Sequence, residues 1–88
     1  MPELSRFLGI VIAMYYRDHA PPHFHAKYEE QRAAFSILDL RIIEGSLPRR
    51  VAVLVLVLEW ANEHRDELLE NWKRVERRED LLTIEPLE

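Results

Sequence analysis

Three of the four histidines in this 88-residue chain, His19, His23 and His25, fall within seven residues. In an extended segment side chains alternate, so His23, His25 and Lys27 share one face while Phe24, Ala26 and Tyr28 share the other. The apolar set belongs in the core, which directs the two imidazoles and the ammonium outward or into a cleft. His19 arrives from a loop stiffened by Pro21 and Pro22 and can approach them. Asp18 is a ready partner for a ring N–H and would fix a tautomer.

Two chemistries use such a group. Two histidines two apart on a strand, with a third nearby, can fill three corners of a zinc tetrahedron: His19, His23 and His25, with water at the fourth. Without metal, His23 and His25 can serve as general acid and base on an RNA phosphodiester, with His19, Lys27 and Arg17 in support. The competing reading is plain: histidines beside prolines often cap a turn or bond to backbone. His64 follows Trp60 by four residues and precedes Glu67 by three, so ring packing with an ion-pair partner accounts for it. Trp60 and Trp72 read as core or interface anchors rather than base-stacking platforms. Tyr15 and Tyr16 split between the two faces of a sheet, and one of them can border the histidine cleft.

Strands must position these groups. Ile10–Tyr16 is rich in β-branched and aromatic residues and apolar on both faces, which predicts a central strand. His23–Tyr28 follows after a link short enough to require an antiparallel pair. Glu29-Glu30-Gln31 turns the chain into a third strand near Ala33–Leu38, and Leu40–Ile43 is a candidate fourth. Gly45-Ser46-Leu47-Pro48 marks the sharpest boundary, with a free turn, a cap and a first-turn proline. No breaker interrupts the residues from Pro48 to Trp72, which predicts one long helix of about 37 Å. Val51, Leu54, Val55, Leu58, Ala61, Leu68, Leu69 and Trp72 form one apolar stripe on it. Val53, Leu56, Val57, Trp60 and His64 form a second. A helix apolar on two sides, in a domain with a radius of gyration of about 12 Å, leaves surface for a second copy or a cognate protein. Lys73, Arg74, Arg77 and Arg78 suit the carbonyl end of the helix and pairing with Glu70 and Glu76. Leu81–Ile84 is a candidate edge strand. The fold class expected is α+β: a small antiparallel sheet of three to four strands covered by one long C-terminal helix, in a single domain over residues 1–88.

Composition closes off other classes. Hydrophobic residues make up 48% and charged residues 32%, the balance of a folded globular chain. Cysteine is absent, which excludes disulfide scaffolds, thiolate zinc sites and cysteine nucleophiles. Residues 1–58 carry 7 basic and 6 acidic side chains, and residues 59–88 carry 5 basic and 10 acidic, for a net charge of −4. No basic excess suits duplex DNA, although the near-neutral first segment still admits RNA as a single strand. Neither Phe7–Tyr16 nor Val51–Leu58 is long enough to span a bilayer, and no export signal is recognisable, so a cytoplasmic protein is expected.

The segments Ser5-Arg6-Phe7, Gly9-Ile10 and Asp18-His19-Ala20-Pro21-Pro22-His23-Phe24-His25 resemble a bacterial family known as domain of unknown function 4160. Gly45-Ser46-Leu47-Pro48-Arg49, Glu59-Trp60-Ala61, His64, Glu67-Leu68, Asn71-Trp72 and Ile84-Glu85-Pro86-Leu87 extend the likeness over nearly the whole chain. The resemblance implies no established activity. It implies a component of a compact two-gene unit similar to a toxin–antitoxin pair, acting by binding a cognate protein. A purely structural or metal-binding interaction module is the alternative. By position it singles out Asp18, His19, Pro21, Pro22, His23 and His25, with Trp60, His64 and Trp72. Glu29-Glu30 departs from the glycine-type residue expected at the strand turn.

Overall fold

The structure, a computed structural model, describes residues 3–47 and 51–87. Five strands form an antiparallel meander in chain order: β1 (Glu3–Phe7), β2 (Ile10–Ala13), β3 (His23–Tyr28), β4 (Gln31–Ser36) and β5 (Ile42–Gly45). Two helices follow, α1 (Val51–Glu63) and α2 (Arg65–Arg77). The α+β class is as expected; five strands replace three to four, and two helices replace one.

β1 is the additional strand. Its register against β2 slips between Glu3 and Ser5, so that Leu4 and Ser5 are both buried. A bulge of this kind erases the alternation by which a strand is recognised in sequence. Leu8 and Gly9 close the hairpin with φ of 50° and 80°, the doubly positive pattern of a type I′ turn, whose twist matches that of the strands. β3 and β4 join through Glu29-Glu30 alone, since Tyr28 faces Gln31. Glu29 takes φ 55° there, so the left-handed conformation is used although the residue is not glycine.

β5 starts later than the expected Leu40–Ile43. Leu40 has φ 57° and donates its N–H to the Ser36 carbonyl, and Asp39 accepts from the Arg41 N–H. Those contacts make Leu40 a turn residue. Gly45 has φ 73°, and a Cβ there would stand 2.3 Å from the Arg32 carbonyl oxygen. Only glycine fits this approach.

The helical ladder does not break at His64 so much as bend. The His64 N–H still reaches the Trp60 carbonyl and the Leu68 N–H the His64 carbonyl, but its ψ is 23°, far from the helical value near −42°. A straight rod through residues 51–77 would run about 40 Å, whereas the longest extent of the molecule is 36 Å and its radius of gyration 11.8 Å. The buried residues Val53, Val57, Trp60, Ala61, Leu68, Asn71, Trp72 and Val75 make one stripe through the bend. The two stripes read from sequence are thus joined at Ala61: the second covers the sheet first, and the far half of the first takes over. Leu54 and Leu58 are half-buried and Val55 is exposed. Pro48 lies outside the described residues, as do the side chains of Val51 and Ala52. At the end of α2, Arg74 and Arg77 pair with Glu70.

These helical residues cover one sheet face, made by Phe7, Ile10, Ile12, Phe24, Ala26, Ala33 and Phe35. Phe24 and Phe35, cross-strand partners, stack at 5.4 Å. Trp60 is fully buried between Phe7 and Phe24, and its indole N–H donates to the Glu85 carbonyl at 2.8 Å. The C-terminal tail is tied down in two further places. The Asn71 amide bonds the Leu82 backbone through both its polar atoms, and the Ile84 N–H reaches the Leu4 carbonyl. The expected strand over Leu81–Ile84 is instead a non-regular strap, which runs alongside β1. No helix among the described residues is long and apolar enough to cross a membrane.

Candidate functional site

β3 begins at His23, where the loop from Tyr15 to Pro22 returns to the sheet. The Asp18 N–H closes a turn onto the Tyr15 carbonyl, and the Pro22 carbonyl accepts from the Ile37 N–H at 3.0 Å. The Ala20–Pro21 peptide is cis. This loop sets the Asp18 carboxylate, partly buried, against the first residues of β3, and leaves His19 and Arg17 exposed.

His23 and His25 do project together, with ring centroids 5.2 Å apart. Each brings its Nε2 to 3.0 Å from the same atom, Oδ2 of Asp18. Only the His25 contact has hydrogen-bond alignment. His25 meets the Tyr15 ring edge-on at 4.6 Å, and His23 packs against the Trp72 indole at 5.2 Å. His23 is thereby buried, 5% exposed, while His25 remains half-open. Phe24, between them, is in the core.

Nδ1 of His23 lies 2.7 Å from the Pro21 carbonyl oxygen. A carbonyl only accepts, so Nδ1 must carry the hydrogen. In a neutral ring the lone pair is then on Nε2, which stands 3.0 Å from Oδ2 of Asp18 but off hydrogen-bond alignment. Two lone-pair atoms this close repel unless a positive charge or a hydrogen lies between them. One ring nitrogen of His23, one of His25 and an oxygen of Asp18 all lie within 4.8 Å of one another. Tetrahedral zinc with bonds of about 2.0–2.1 Å sets its ligand atoms roughly 3.3–3.5 Å apart, and a backbone carbonyl on the far nitrogen is the usual way a ligating imidazole is oriented.

The three-residue group is therefore Asp18, His23 and His25, with the carboxylate in the place expected of His19. Lys27 shares the His25 face and is exposed. His64 stands apart at the helix bend, where its Nδ1 meets Glu67 at 2.6 Å and its ring packs on Trp60 at 5.3 Å, as the spacing predicted. Arg32, outside the residues expected from the sequence, is set by β4 directly opposite Lys27. Counting the β3–β4 turn as two residues would have found it.

The chain matches, over residues 9–73, a family described as a domain of unknown function, DUF4160. No curated protein and no solved structure matches it.

Proposed function

The chain belongs to the DUF4160 family, and on the geometry of its own residues we propose that it is a metal-binding interaction module. One divalent transition metal, zinc by preference, is held by Asp18, His23 and His25. The observation that supports this is the pair of imidazole nitrogens converging on one carboxylate oxygen while the Pro21 carbonyl occupies the other nitrogen of His23. Imidazole with carboxylate suits zinc and its first-row neighbours, and three protein donors leave room for water or a partner's side chain. Calorimetric titration of untagged protein with zinc should give one site, weakened at least tenfold by His25→Ala; no heat above buffer would refute it. The metal-free reading, acid–base cleavage of RNA by His23 and His25 with His19, Lys27 and Arg17, is less well served. Both ring nitrogens of His23 already face protein oxygens, and the ring is buried.

Protein docking has its own support. The β1 edge of the sheet is flanked by the tail, whereas all four residues of β5 are exposed, Ile42 and Ile43 among them. An open apolar edge invites strand addition. We propose that a second copy, or a small cognate protein encoded in the same two-gene unit, pairs along β5. Light scattering of the isolated chain separates these two partners.

A further inference from the structure

The sheet face away from the helices carries two adjoining hollows. One, of about 100 Å³, is lined by Val11, Ala13, Tyr15, His25, Lys27 and Arg32. The other, of about 280 Å³, shares Tyr15, His25 and Arg32 and is bounded across the cleft by Glu44. Together they fall at the lower end of volumes that hold a small ligand, roughly 300–1,000 Å³.

Lys27 and Arg32 are cross-strand partners. Like charges directly opposite on one face repel, with Cβ atoms about 4.5–5.5 Å apart. Among the described residues neither side chain has an ion pair or hydrogen bond to offset this. Two unpaired cations, held side by side at the mouth of a hollow, are an arrangement that an anion relieves. Lysine supplies a point charge and arginine a planar fork suited to phosphate oxygens.

The remaining walls fit something larger than a bare anion. The Tyr15 ring offers an aromatic edge or face, and Glu44 is an acceptor for hydroxyl or amino groups. An acid would be misplaced in a site for phosphate alone. We propose that this cleft binds a nucleotide phosphate, with the phosphate on Lys27 and Arg32 and the nucleoside extended past Tyr15 toward Glu44. The ligand is a free nucleotide or a short single strand of RNA. The inference touches the metal reading only in that an ion beside His25 would add positive charge at the cleft rim; the two cations stand without it.

The test is titration of the full chain, first stripped with chelator and then zinc-loaded, with adenosine monophosphate, a six-nucleotide single-stranded RNA and inorganic phosphate, followed by backbone amide NMR. Shifts should map to β3, β4 and β5 around the cleft, and binding should weaken with salt. Arg32→Gln and Lys27→Gln should each weaken it at least fivefold, with the fold unchanged by circular dichroism, and Arg41→Gln should leave it intact. Tighter binding of the RNA than of the mononucleotide assigns the strand as the source, and the reverse assigns the free nucleotide. Absence of binding at millimolar concentration, or equal loss in Arg41→Gln, overturns the proposal. Inorganic phosphate binding as tightly as the nucleotide overturns it too, since Tyr15 and Glu44 would then have no part. Nucleotide binding to the stripped protein persists if the zinc reading fails, and zinc binding persists if this one does.

Discussion

The imidazole of His23 holds the carbonyl of Pro21, two residues earlier, at 2.7 Å. That one contact determines which nitrogen of a buried ring faces Asp18, and it turns a histidine beside a proline into a candidate ligand. The local bond expected of such a histidine is present; it orients the ring rather than using it up.

Metal should stabilise the fold through this group. At a hundredfold excess over its Kd, zinc should raise the free energy of unfolding by about 2.7 kcal/mol. Urea unfolding with and without chelator measures it. Asp18→Asn and His25→Ala should cut the difference at the same zinc concentration by about half or more, and an undiminished gain in both variants would argue for binding elsewhere.

Gly45→Ala should destabilise the protein by about 1–3 kcal/mol. The added methyl meets the Arg32 carbonyl at 2.3 Å, and the backbone there has φ 73°. An unchanged thermal midpoint would show that the β4–β5 register can shift to admit it.

Asn71→Ala should cost about 2–4 kcal/mol, because it leaves the N–H and carbonyl of Leu82 without their buried partner. The tail should also become open to limited proteolysis. Full resistance beyond Leu81 would mean that Trp60 and Leu4 hold the strap unaided.

Ile42→Lys together with Ile43→Lys should render monomeric any self-associated form, as charge guards an open edge. Light scattering at micromolar concentration checks this. An assembly that survives both changes is not built along β5.

Much of the site was legible from the alternation of β3, since His23, Phe24 and His25 obey the period of two and the first and last need only a common acceptor. The burial of His23 was not legible, because it depends on Trp72, some fifty residues later, arriving over the sheet end. The helix bend is illegible in the sequence for a similar reason. Nothing in the residues around His64 breaks a helix, and the turn reflects the need to keep one apolar stripe on a short twisted sheet. β1 was hidden by its bulge, and the pairing of Lys27 with Arg32 by a turn one residue shorter than expected.

The most direct measurement is a crystal structure of untagged protein grown with zinc, with diffraction recorded on both sides of the zinc absorption edge. The account predicts one anomalous peak at about 2.0–2.2 Å from Oδ2 of Asp18 and from Nε2 of both His23 and His25, with the Pro21 contact intact. A peak seated on His19 or His64 instead, or none at all in the presence of stoichiometric zinc, would contradict it.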